Sequence, residues 1–151
     1  MKANDIFRLT EKLLFSYKDN LARLEILTED LRVLRAGGDV HAQSYQLNFD
    51  FGGTPSNPVA LHVEKIISLE KQIKCLERNT TPITRLVNEI HERAASAPDF
   101  APVKDFQVLL DLFYFGDNTL YDIAEITKRS RRTLSARRKK LVMKAADYLG
   151  L

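Results

Sequence analysis

The chain has no tryptophan and one cysteine, Cys75, among its 151 residues. A lone cysteine closes no internal disulfide, so the fold must be held by packing, and a reducing cytoplasm is the expected setting. No apolar run approaches the roughly eighteen residues that a membrane span needs, so no membrane is expected among the partners. The opening MKANDIFRLTEKLL carries Asp5 and Glu11 within its apolar pattern and offers no small-residue cleavage site, which argues against a secretory leader. The chain also lacks a glycine loop suited to phosphate, because Gly52-Gly53 merely precedes a turn. His41, His62 and His91 are scattered without the paired spacing of a metal site. Cys75, beside Ile73 and Leu76, reads as a half-buried, inert thiol. No catalytic residue, cofactor or metal is expected, and the chain does not read as an enzyme.

One further shortage is local. From Lys128 to Lys144 there are nine basic residues and no acidic one. Residues 1–103 hold 13 Lys+Arg against 14 Asp+Glu, whereas residues 104–151 hold 10 against 6, so the overall charge of +3 is an acidic-to-neutral stretch followed by a basic one. A concentrated cationic field attracts a polyanion, since each neutralised phosphate releases condensed counterions.

What is abundant is helical periodicity. Ile6, Leu9, Leu13, Tyr17, Leu21, Leu24, Leu27 (or Thr28), Leu31 and Leu34 recur every 3.5 or so residues, the spacing of a coiled-coil seam. They predict one long helix that Gly37-Gly38 ends. Residues 37–57 mix four glycines and a proline with aromatic residues and read as a long mobile loop that can grip a partner. Within it Tyr45, Leu47, Phe49 and Phe51 alternate as in a short strand, with no sheet to join. From Pro58 a second seam runs through Val59, Val63, Ile66, Leu69, Ile73, Leu76, Ile83, Val87 and Ile90. Pro82, preceded by the capping residue Thr81, predicts a kink or a break. The two seams predict an antiparallel, coiled-coil-like hairpin over 1–96 with apolar surface left over, hence a homo-oligomer, most simply a dimer, formed through the long helices. Residues 97–103, rich in proline and small residues, read as a linker.

Residues 104–151 predict a helix-turn-helix, so the expected fold is all-α: a hairpin followed by a DNA-binding module. A helix over about 104–115 carries Phe106, Leu109, Leu110 and Phe113 and ends at Gly116. Thr119 caps a short helix, Leu120 to Thr127; Lys128-Arg129-Ser130 form the turn; Ser130 caps a last helix to about Tyr148. Ala124 is small enough for a close crossing, and Leu134, ten residues later, fills the same core. From Leu134, helical rotation puts Leu141, Ala145 and Tyr148 on the buried side and Arg132, Ser135, Ala136, Lys139 and Lys140 outward. Arg131, Arg132 and Thr133 lie in the first turn, where base edges are reached, while Lys128, Arg129, Lys139, Lys140 and Lys144 suit phosphates. Ser130, Ser135 and Ala136 complete the candidate interface with double-stranded DNA. Arg137 and Arg138 flank the core side, as backbone contacts or snorkelling side chains.

The stretch TLYDIAEITKRSRRTLSARRKKL resembles the fourth region of bacterial sigma factors through Thr119, Leu120, Ile123, Ser130 and Arg131. It departs from that pattern at Lys128, where glycine is usual, and at Arg129, where an apolar residue is usual. A left-handed Lys128 costs about 1 kcal/mol. With the Leu-rich first helix, Ser44-Tyr45 in the loop and the Asn57-Pro58-Val59 restart, the whole chain resembles the ArpU/RinA-type phage transcriptional regulators of low-GC Gram-positive bacteria. That resemblance implies a phage or prophage late-gene activator that works with bacterial RNA polymerase in the host cytoplasm. The competing readings are a small terminase-like DNA-packaging protein and a helical adaptor whose basic end binds an acidic protein.

Overall fold

A computed structural model describes residues 1–37 and 58–151. Among these residues every regular element is helical. The elements are α1 (Ala3–Arg35), α2 (Pro58–Ala95), α3 (Pro102–Val108), which runs on as a π-helix (Leu109–Tyr114), α4 (Leu120–Thr127) and α5 (Arg131–Leu149). Among the described residues no helix is long and apolar enough to cross a membrane. The segment expected to form a mobile, partner-gripping loop lies outside the described residues, apart from Gly37.

Gly37 stops α1 as its sequence predicts. At φ +80 it takes the left-handed conformation, and its N–H donates to Leu34 O at 3.0 Å. Of the kink and the break expected at Pro82, α2 excludes the break, because it is one helix of 38 residues with the proline inside it. Ile83, Leu86 and Ile90 are fully buried just beyond Pro82. Each apolar side chain so buried contributes roughly 1.5–3 kcal/mol, enough together to outweigh one missing backbone hydrogen bond.

The chain packs as two compact units, residues 19–78 and residues 1–18 with 79–151. The division falls inside α1 and α2 and not at 97–103; the non-helical segment 96–101 lies within the second of these units. In the 19–78 unit, Leu27, Leu31 and Leu34 of α1 meet Leu69 and Ile73 of α2, with Leu24, Ile66 and Leu76 around them. Arg35 closes this packing by donating to Glu70 at 2.7 Å.

In the other unit the first turns of α1 depart from the heptad reading. Leu9 is exposed, whereas Thr10 and Leu14 are fully buried. A buried threonine is tolerable because its hydroxyl donates to Ile6 O at 2.7 Å within its own helix. Tyr17 is buried with its hydroxyl 2.6 Å from Thr84 Oγ1. Thr84 in turn donates to Thr80 O at 3.1 Å, which leaves Tyr17 to donate to it.

The helix expected over 104–115 begins two residues earlier and is not uniformly α. Its second half widens to a π-turn, with Phe115 N–H donating to Leu110 O at 2.9 Å. The extra residue per turn buries Tyr114 together with Leu109 and Leu110, where the α reading had put Phe113. Gly116 is required here for space: a Cβ would stand 2.8 Å from Leu112 O, against which the chain folds back so that Asn118 N–H reaches the same oxygen at 3.1 Å.

Candidate nucleic-acid interface

The segment from Thr119 to Leu149 is fixed first by its caps. Thr119 accepts from Asp122 N–H at 3.2 Å, and the Asp122 carboxylate accepts from Thr119 N–H at 2.9 Å, a reciprocal pair that starts α4. Lys128 ends α4 in the left-handed region at φ 59, ψ 27, the conformation that its place in the turn demands. Ser130 then caps α5, accepting from Thr133 N–H at 3.1 Å, with Thr133 Oγ1 2.9 Å from its own hydroxyl. Ser130 and Thr133, both candidate contacts, are thus engaged with each other at the start of α5. The core between the helices is Ile123, Leu134, Leu141 and Ala145, all fully buried. Ala124 is half-buried.

The nine cations divide into two groups. Lys128, Arg131, Arg132, Lys139 and Lys140 are exposed and have no ion-pair or hydrogen-bond partner among the described residues. Ser135 and Ala136 are exposed on the same side of α5. The other four cations are held by acids from distant parts of the sequence. Asp105, only 3 % exposed, has Arg129 Nε 3.4 Å from one carboxylate oxygen and Arg137 Nε 3.4 Å from the other. These are loose contacts: Arg137 Nε and Asp105 Oδ2 are buried without a well-formed hydrogen bond. Arg138 Nε donates to Glu11 Oε1 at 2.6 Å, and Tyr114 donates to the same oxygen at 2.7 Å. The Arg138 guanidinium also lies 5.2 Å from the centre of the Phe113 ring and 5.9 Å from that of Phe7. Lys144 is shared less tightly, 3.5 Å from Glu89, which also pairs with Arg93 at 2.8 Å.

Arg129 and Lys144, expected as phosphate contacts, are therefore half-buried and paired, and Arg137 and Arg138 are internal ion-pair partners. Sequence reading missed this because Glu11, Glu89 and Asp105 approach the helix only through folding. It also missed a second buried flank, Val142 and Ala146, although two apolar residues beside Leu141 and Ala145 were the available signal. Cys75 is exposed, which corrects the half-buried reading. His91 is engaged with Asp111 at 3.0 Å, and among the described residues no cluster of metal-ligating side chains occurs.

The remaining free surface can make two kinds of contact. Arg131 and Arg132, unpaired in the first turn, can donate two parallel hydrogen bonds to an acceptor pair such as guanine O6 and N7. Lys128, Lys139 and Lys140 can neutralise phosphates on either side. No protein-family model, curated protein or solved structure matches the chain.

Proposed function

We propose that this protein is a sequence-specific DNA-binding transcriptional regulator in which α4, the 128–130 turn and α5 act as a helix-turn-helix. The observation that carries the reading is the set of five unpaired cations on one exposed side of α5 and its turn. A solvated helix face normally mixes in acids, whereas the stretch from Lys128 to Lys144 carries none, and Asp105 and Glu11 from outside it pair with the inward-leaning arginines. In this reading α1 and α2 form an antiparallel hairpin. Its support within the 19–78 unit is the pairing of Arg35, late in α1, with Glu70, early in α2.

The sigma-like end and the resemblance to ArpU/RinA-type regulators extend the proposal to a phage or prophage late-gene activator that touches bacterial RNA polymerase. Arg132→Glu removes a base-edge donor and adds repulsion, and is expected to weaken binding to a promoter duplex by roughly tenfold or more in a gel-shift titration with helicity unchanged. Undiminished affinity would take α5 out of the interface. Purified polymerase should transcribe the candidate promoter more strongly when the protein is present. Equal transcription with and without it would favour a packaging role instead.

A further inference from the structure

The outward side of α5 is not a plain convex surface. Beside it, within the same compact unit, the first turns of α1 complete a recess of about 390 Å³ lined by Phe7, Ser135, Ala136, Arg138 and Lys139. Its apolar part is the half-buried Phe7 ring and the methyl of Ala136. Ser135 and Lys139, both exposed, are its polar lining residues beside Arg138. The Phe7 wall has support, because the Arg138 guanidinium lies 5.9 Å from the ring centre and is itself held by Glu11.

An apolar recess edged by cations, on the face that carries the unpaired arginines, has room for the edge of a group borne by a polyanion and suits one that presents an apolar substituent. In the major groove of DNA one base offers such a group: thymine, through its 5-methyl. Ala136 lies one and a half turns into α5, and its short side chain leaves room for a base edge to approach the helix closely. A phosphate would gain nothing from the aromatic wall, whereas a methyl would be desolvated by it.

We infer that the recess between Phe7 and Ala136 receives a thymine methyl and makes Phe7, a residue of the first helix, a specificity determinant of the DNA site. This rests on the DNA-binding reading above. The test starts from random-sequence duplexes enriched by binding to the full-length protein, in which each thymine is replaced singly by deoxyuridine, identical but for the methyl. At one or two positions the replacement should weaken binding roughly three- to fivefold, the value of one buried methyl group. Phe7→Ala, and separately Ala136→Gln, which puts a longer side chain on the Ala136 wall of the recess from an exposed helical position, should bind the thymine and uracil duplexes alike while keeping helicity. The uracil comparison alters no protein atom, so it stands even if Phe7→Ala fails to fold. If no duplex is enriched, the DNA-binding reading falls and takes this inference with it. If duplexes bind and uracil makes no difference anywhere, or the difference survives in Ala136→Gln, the inference falls and DNA binding stands.

Discussion

At the scale of single residues, Glu11, Tyr114 and Arg138 show how the basic helix is held by acids outside it. Burial first, and then the hydrogen bond to Glu11, push the Tyr114 hydroxyl well above its ordinary value of 10.0. The folded protein therefore keeps a proton that the unfolded chain releases near pH 10. Because the folded-state value is the raised one, this contribution to stability is complete below pH 10 and is lost as pH rises beyond it. The difference between tyrosine absorbance titrations of the wild type and Tyr114→Phe isolates this one hydroxyl. It should ionise only as helicity is lost, and the alkaline stability limb of Tyr114→Phe should be shallower. Ionisation near pH 10 with helicity intact would contradict the buried hydrogen bond. The same triad explains why Arg138 was legible only as a core-flanking arginine: helical rotation gives its direction, but its acceptor lies 127 residues away.

At the scale of elements, what the sequence made legible was whatever depends on short separations. The spans of α4 and α5, the caps at Thr119 and Ser130 and the stop at Gly37 all follow from neighbours within a turn or two, whereas the left-handed Lys128 is legible only through the sigma-like resemblance, in which glycine takes its place. Less legible were outcomes decided by packing, such as the π-turn after Val108, the exchange of Leu9 and Leu13 for Thr10 and Leu14, and the continuity of α2. Pro82 shows the competition most directly. It deprives the carbonyl of Arg78 of its donor, but Arg78 is exposed, where water can replace that donor, and the buried residues that follow hold the helix. The proline thus remains a cost that packing outweighs. Pro82→Ala is expected to raise stability by about 1–3 kcal/mol in urea unfolding, with helical content unchanged or slightly higher. A neutral or negative result would mean that the ring makes packing contacts worth as much as the hydrogen bond it removes.

At the scale of the molecule, the seams that predict association must be separated from those already used inside one chain. Leu24 belongs to the reading of a dimer seam, yet it packs against Leu27, Leu31, Leu34, Leu69 and Ile73 within the 19–78 unit. Replacing it would test folding before association. Among the described residues, one set of exposed apolar side chains lies elsewhere: Val59, Val63 and Ile67 are 71 %, 48 % and 46 % exposed. Spaced four residues apart, they form one stripe along the start of α2, and a contiguous exposed stripe of β-branched residues is costly for a chain that stays alone in water. A second copy would cover it by laying the same stripe against its counterpart about a two-fold axis, as self-complementary interfaces do. The unmodified protein is therefore expected to scatter light as a dimer at micromolar concentration. Val63→Asp combined with Ile67→Asp should give a monomer of unchanged helicity, because neither side chain belongs to the buried cluster. A monomeric wild type at that concentration would remove the dimer. A double variant that stays dimeric would instead move the interface off the start of α2.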